Sequence, residues 1–258
     1  MIEIKNIVFS YSKDRKVLDD ISLCFESNVI TSVLGPNGSG KTTMLKIMLG
    51  LLPPLSGQVL IDGTDLQTIP LKERAKLIAY VPQKHNAVFD YKVLDVTAMG
   101  RVAHSSIFSG LSRADTKIAM ESLERMGIAH LADKPYTQTS GGEQQMVLIA
   151  RALAQQAKIM ILDEPVTGLD YGNQIRLLKT LKELASEGKT CIKTTHYPEH
   201  ALWTSGRAVF MRNGHVLASG LTSEVVTTEN LRAIYDTEIA IINRPVSEAS
   251  VSTCIPIL

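Results

Sequence analysis

The run Val29 to Leu34 is continuously apolar apart from Thr31 and Ser32. It leads directly into Gly35-Pro36-Asn37-Gly38-Ser39-Gly40-Lys41-Thr42, after which Lys41 to Leu49 has helical spacing. A buried strand, a glycine-rich turn and a helix in that order restrict the chain to an α/β arrangement with the turn at a strand's carboxyl end. The turn fits GxxxxGK[ST] in the context that motif requires. Backbone N–H groups of such a loop can surround a polyphosphate, Lys41 can reach the β and γ phosphates, and Thr42 can ligand Mg²⁺. Gly35, Pro36, Asn37, Gly38, Ser39, Gly40, Lys41, Thr42 and the adjoining Thr43 are therefore candidate nucleotide-binding residues.

A second buried-strand pattern, Lys158 to Leu162, ends in Asp163-Glu164. Carboxylates at that end of a strand lie where α/β sheets bind ligands. Asp163 can hold Mg²⁺, directly or through water, and Glu164 can polarise an attacking water.

The rest of the chain supplies the layers around these two strands. Ile2, Ile4 and Phe9 alternate loosely with polar residues, as do Val17 to Phe25, and Gly57 to Gly63 is a short run bounded by glycines. These read as an antiparallel β layer. Ser112 and Asp115 have capping-box spacing before a helical pattern that Gly127 can end, and His85 to Gln156 reads as a helical lobe. Ile175 to Ala185 reads as an amphipathic helix and Thr190 to Thr195 as another strand, so strands alternate with helices in a parallel sheet. Arg207 to Ser219 reads as a hairpin turned by Asn213-Gly214. Ile242 to Leu258 has no clear period and is expected to be a loosely held tail.

At 258 residues the chain is too short for two full catalytic domains, and a formal net charge of +1 gives no reason to expect nucleic acid as a partner. Three widely spaced cysteines fit a reducing compartment, and the histidines other than His196 show no metal-ligand spacing. No apolar run approaches the roughly 20 residues that span a bilayer, and the N-terminus lacks a signal-peptide pattern. The expectation is a soluble chain whose membrane role, if any, needs a partner.

Ser140-Gly141-Gly142, taken with the phosphate loop and Asp163-Glu164, resembles the signature of ATP-binding-cassette (ABC) ATPases. Thr139 and Glu143 depart from the common LSGGQ form of that signature. Ser140 and Glu143 also have capping-box spacing, so a helix beginning at two glycines would offer N–H groups and a positive dipole end to a γ-phosphate. The resemblance covers nearly all of residues 1 to 240 and implies further roles. Tyr11 would stack on adenine, and Gln83, in Tyr80-Val81-Pro82-Gln83, would ligand Mg²⁺ or water between lobes. Asp170, in Gly168-Leu169-Asp170, would belong to the D-loop, and His196 would be the switch histidine that holds the γ-phosphate or Glu164 and its water. The implied catalytic set is Lys41, Gln83, Glu164 and His196, with Thr42, Gln83 and Asp163 on Mg²⁺.

The implied fold is the ABC ATPase fold: an α/β P-loop NTPase core with an antiparallel β subdomain and an inserted helical lobe. Residues 1–240 would form that single domain, with the lobe at about 85–156 and a tail at 241–258. The family closes head to tail, so Ser140, Gly141, Gly142 and Glu143 would meet ATP held on a second copy of the chain. Val93 to Arg101 and Leu169 to Gln174 look like the importer subfamily for iron-siderophore, haem, cobalamin and related metal chelates. That resemblance implies ATP and Mg²⁺, permease subunits, an indirect substrate-binding protein, and a place on the cytoplasmic face of the membrane. Asn86 to Tyr91, with Val88, Phe89 and Tyr91, is apolar for a loop and is expected to line a groove for a permease helix. The alternatives are the ATPase of another transporter class, such as an amino-acid importer or an exporter, and a regulatory ABC protein without transport. Glu164 and His196 argue against a protein that binds ATP without turnover.

Overall fold

The computed structural model describes residues 1–12, 15–83, 90–104, 110–246 and 249–257. It divides into two compact units, residues 1–69 with 185–258, and residues 70–184. The first unit opens with β1 (Ile2–Ser12), β2 (Arg15–Phe25), β3 (Ile30–Leu34), α1 (Lys41–Met48), β4 (Ser56–Ile61) and β5 (Thr64–Asp65). The second unit holds α2 (Leu71–Leu77), β6 (Ile78–Val81), α3 (Val93–Ala98), α4 (Arg113–Arg125), α5 (Gly141–Ala154), β7 (Ile159–Leu162) and most of α6 (Tyr171–Ser186). The first unit resumes with β8 (Thr190–Thr195), α7 (Pro198–Thr204), β9 (Arg207–Arg212), β10 (His215–Leu221), α8 (Thr222–Val225), α9 (Thr228–Tyr235), β11 (Ile239–Val246) and β12 (Ala249–Pro256).

In the first unit, β2, β1, β4 and β5 form the expected antiparallel layer. The alternation of Ile2 and Ile4 puts both side chains inside, and Ile2 pairs with Phe25 on one side and Ile61 on the other. A separate run of strands has the order β10, β9, β3, β8. Here β3 is parallel to both β8 and β9 and buried along its whole length, which is why its sequence does not alternate. The turn from β9 to β10 has positive φ at both Asn213 (49°) and Gly214 (79°), as the Asn-Gly pair predicts.

In the second unit, β6 and β7 are parallel, with Val81 opposite Leu162. Helices α4 and α5 both begin with complete capping boxes, Ser112 with Asp115 and Ser140 with Glu143. Helix α6 begins earlier than Ile175, because the Asp170 carboxylate accepts from the Asn173 N–H and extends the first turn. Among the described residues no helix is long and apolar enough to cross a membrane.

The expectation of a loosely held tail from Ile242 onward is corrected. Strands β11 and β12 form an antiparallel hairpin paired from Ile239 and Pro256 to Val246 and Ala249. Trp203 Nε1 donates to Ser252 O, and Ile239, Ile241 and Cys254 pack on an apolar cluster that contains Leu34 and Phe210. Ladder hydrogen bonds and burial of one face hold a segment whose sequence shows no strong period.

Candidate functional site

The phosphate loop lies in the first unit. It leaves β3 after Leu34, closes tightly through a bond from Ser39 N–H to Pro36 O (3.2 Å), and enters α1 at Lys41. Gly40 turns into the helix at φ 102°, and a Cβ there would lie 2.6 Å from Leu18 Cδ2, so only glycine fits. The Lys41 ammonium is buried against the loop and donates to Gly35 O (2.7 Å) and Pro36 O (3.0 Å). The Ser39 hydroxyl is buried and has no hydrogen-bond partner among the described residues, an orphaned donor inside a loop of backbone N–H groups. Asn37 and Gly38 stand exposed at the tip, and Thr42 is half-buried in the first turn of α1. A lysine, an orphaned hydroxyl and a helix N-terminus converging on one loop fit a polyphosphate.

Two further expected residues stand with this loop. Tyr11 is 62% exposed, meets the Phe9 ring edge-on at 4.9 Å, and shares a hydrogen bond of 3.2 Å with Thr43 Oγ1 in α1. The ring is held by these two contacts and stays largely exposed. His196 follows β8 directly, and because Leu34 pairs in register with Thr195, Gly35 and His196 leave neighbouring strand ends together. His196 is half-buried, and its carbonyl accepts from Tyr235 Oη (3.1 Å).

The second unit carries the carboxylates. Asp163 N–H donates to Val81 O (2.9 Å), continuing the β6–β7 pairing one residue past the strands and burying Asp163 almost completely. Nearby Tyr80 has its phenol pushed up to about 12, first by burial and then by the Asp163 charge. Glu164 is 8% exposed and turns the chain at φ 46°, a conformation that costs a glutamate about 1 kcal/mol. The turn is closed by Thr167 N–H donating to Glu164 O (3.1 Å). Gln83 Nε2 donates to Glu164 Oε2 at 2.5 Å. Gln83 and Glu164 each lie two residues beyond the opposed Val81 and Leu162, so strand register brings them together.

The signature segment is in the same unit. Ser140 Oγ accepts from Glu143 N–H (3.3 Å), and Glu143 Oε2 accepts from Ser140 N–H (2.7 Å). The Ser140 N–H first, and then the Ser140 hydroxyl, lower the pKa of the Glu143 carboxyl and keep it ionised. Gly141 and Gly142 are the first helical residues, so their N–H groups have no acceptor within α5. A Cβ on Gly142 would lie 3.2 Å from Gly168 O, which places the glycine pair beside the Gly168-Leu169-Asp170 turn. Asp170 accepts from Asn173 N–H (2.9 Å) and Asn173 Nδ2 (2.7 Å), and the backbone bond leads in lowering its pKa.

Two features had no sequence-based expectation. Arg101, which is buried, donates to Asp115 Oδ1 (3.0 Å), Ala154 O (2.9 Å) and Gln156 Oε1 (3.0 Å), tying α4 to the end of α5. The Tyr235 bond to the His196 carbonyl was equally unforeseen, because the two are distant in sequence. Of the loop expected to line a permease groove, Asn86 to Phe89 lie outside the described residues, while Tyr91 is exposed and its carbonyl accepts from Tyr136 N–H (2.8 Å).

Comparison with known proteins agrees with this chemistry. Residues 18–167 match the profile of the ABC transporter family. A Helicobacter pylori protein named as an iron chelatin transport ATP-binding protein is 38% identical over 92% of this chain and 93% of its own. The structure of a metal-chelate type ABC transporter in an inward-facing conformation superposes with a TM-score of 0.86 at 30% identity, covering 100% of this chain and 97% of that one. A dimeric structure of a bacterial ABC transporter cassette gives a TM-score of 0.78 at 30% identity over 86% of this chain and 99% of that one. With its phosphate loop, its buried strand-end carboxylates and these relatives, the chain belongs to the ABC transporter family as an ATP-binding subunit, an ATPase with the mixed α/β fold of that family.

Proposed function

We propose that this ATPase powers an importer for iron-siderophore or a related metal chelate. It would work as a head-to-tail homodimer on the cytoplasmic face of the membrane, beneath permease subunits that receive cargo from a substrate-binding protein. The relative named for iron chelatin and the metal-chelate type structure support the cargo class, and the dimeric cassette supports the homodimer.

The observation that carries the catalytic reading is Glu164, a buried carboxylate at a strand end whose Oε2 is held by the Gln83 amide. In this reading Tyr11 stacks on adenine, residues 35–43 enclose the phosphates, and Lys41 neutralises β and γ oxygens. Thr42, Gln83 and Asp163 would hold Mg²⁺; one protein carboxylate suits an ion that keeps waters and takes phosphate oxygens as ligands. Bound Mg²⁺ would withdraw charge from the β and γ phosphates. Glu164 accepts a hydrogen bond from water and takes up its proton as the water oxygen bonds to the γ-phosphorus. The bond from that phosphorus to the β–γ bridging oxygen breaks, leaving ADP and phosphate. His196 donates to the γ-phosphate, and Ser140, Gly141, Gly142 and Glu143 of the partner chain close the site, with Asp170 at the junction.

The test is Lys41→Ala in the full chain. Loss of ATPase activity with weakened nucleotide binding is expected, and unchanged turnover would remove the phosphate loop from the mechanism. Uptake of ferric siderophore into vesicles that carry the chain with its permease partner tests the cargo class. ATP-dependent uptake of an amino acid in place of the chelate would overturn that class.

A further inference from the structure

The peptide that joins His196 to Tyr197 is held at both of its polar ends. Tyr197 N–H donates to Thr195 Oγ1 (3.1 Å), and the His196 carbonyl accepts from Tyr235 Oη (3.1 Å). Fixing both the N–H and the C=O of one peptide fixes its plane, and with it the ψ of His196 and the direction in which the imidazole leaves the backbone.

The residue that holds the carbonyl is itself firmly mounted. Helix α9 starts with Thr227 Oγ1 accepting from Asn230 N–H (3.2 Å). Leu231 and Ile234 are buried in an apolar cluster with Leu34, Ala201 and Phe210, against which the Tyr235 ring packs. At the other end Arg212 of β9 donates to both carboxylate oxygens of Asp236, at 3.0 and 2.7 Å, and to the Ala233 carbonyl. Leu34 is the last residue before the phosphate loop, and it pairs in register with Thr195. Tyr235 therefore sits on the same packed body that sets both the start of the phosphate loop and the end of β8. Burial first, and then the neighbouring Glu199 and Cys254, push the pKa of its phenol up, so it remains a protonated donor throughout the neutral range.

We propose that Tyr235 is a positioning residue for ATP hydrolysis, acting through the His196 carbonyl to aim the His196 imidazole. The proposal rests on the assignment of His196 to the γ-phosphate. A tyrosine that merely fills the cluster would lose stability, but no turnover, when only its hydroxyl is removed.

Steady-state ATPase kinetics and thermal melting of the full chain distinguish these cases, using Tyr235→Phe, His196→Ala and the double variant. Tyr235→Phe should lower kcat about tenfold while leaving KM for ATP within about twofold, because a tilted imidazole loses transition-state contact more than ground-state binding. The double variant should be no more than about twofold slower than His196→Ala alone, since the tyrosine acts through the histidine. Wild-type kcat in Tyr235→Phe beside a slow His196→Ala overturns the positioning role, and so do multiplicative losses in the double variant. Wild-type kcat in His196→Ala removes the assignment of His196 itself, and the inference falls with it. Should Tyr235→Phe melt below the assay temperature, Thr195→Val releases the other end of the same peptide and carries the same expected loss of kcat at constant KM. Unchanged kcat there overturns the proposal.

Discussion

Gln83 Nε2 donates to Glu164 Oε2 at 2.5 Å, joining two residues that lie 81 positions apart in the chain. The bond fixes one carboxylate oxygen of a residue that already sits in a left-handed turn, with its remaining side-chain freedom limited by burial. A carboxylate held in this way would lose little entropy on orienting a water. Gln83→Ala should therefore lower kcat by about tenfold or more with KM for ATP nearly unchanged. Equal kcat in variant and wild type would show that Glu164 needs no such support.

A second expectation concerns the brace between Arg101 and Asp115, which are only 9% and 13% exposed at their side chains. The Ser112 hydroxyl first, then its N–H and the Arg101 guanidinium, bring the Asp115 carboxyl down to about 2 from an ordinary 3.8. Its folded pKa is depressed, so its stabilisation is fully present above pH 3.8 and disappears as pH falls toward about 2. Asp115→Asn should cost about 2 kcal/mol at neutral pH, through a weakened cap and a buried guanidinium without its anion. Acid melts of the variant should lack the part of the stability loss that the wild type shows in that window. An unaltered acid limb would refute the assignment.

Much of the fold is legible because short-range physics dictates it. The apolar run of β3, the glycines after it, both capping boxes and the Asn213-Gly214 turn each need only neighbouring residues to be recognised. The hairpin of β11 and β12 is not legible in that way, since Pro245 and Pro256 argue against strands and apolar residues occur on both faces. On one face Ile241 and Cys254 pack on the cluster around Leu34, while Ile242, Val251 and Ile255 line the other. Within the candidate site, the phosphate loop and the Asp163-Glu164 pair are visible as local motifs, whereas the bonds from Gln83 to Glu164 and from Tyr235 to His196 depend on strand register and helix placement.

Lys193 gives a third expectation. It lies in β8, is 1% exposed, and its Nζ donates at 3.4 Å to His200 O. Burial pushes its ammonium down to about 7 from an ordinary 10.5. Burial and then the Lys193 charge press His200 down to about 4, so that imidazole is neutral at pH 7. For Lys193 the unfolded chain holds the proton more tightly, so stability rises with pH between about 7 and 10.5. Lys193→Met removes a poorly compensated buried cation and should stabilise by about 2 kcal/mol, raising Tm by about 5 °C at pH 7. It should also flatten the alkaline rise. A lower Tm in the variant would mean that the ammonium is better served than its long bond to His200 O indicates.

The last expectation tests the proposed base and the proposed dimer together. Glu164→Gln keeps the size of the side chain, and its amide can still meet Gln83, but it removes the charge and most of the basicity. The chemical step should slow by about a hundredfold or more while ATP continues to bind, since Lys41 and the phosphate loop are untouched. ATP that persists would then be held at its γ-phosphate by the free N–H groups at the start of α5 in the partner chain, together with the Ser140 hydroxyl. The variant with ATP and Mg²⁺ should elute as a dimer on size-exclusion chromatography. Adding Ser140→Arg puts a long cation at the N-cap of that helix, where it loses the capping bond to Glu143 and opposes the positive helix end. The dimer should then disperse, although each chain keeps its own phosphate loop. Wild-type turnover in Glu164→Gln would sink the assignment of the base. An ATP-dependent dimer that survives Ser140→Arg would sink the contact between the signature of one chain and the nucleotide of the other.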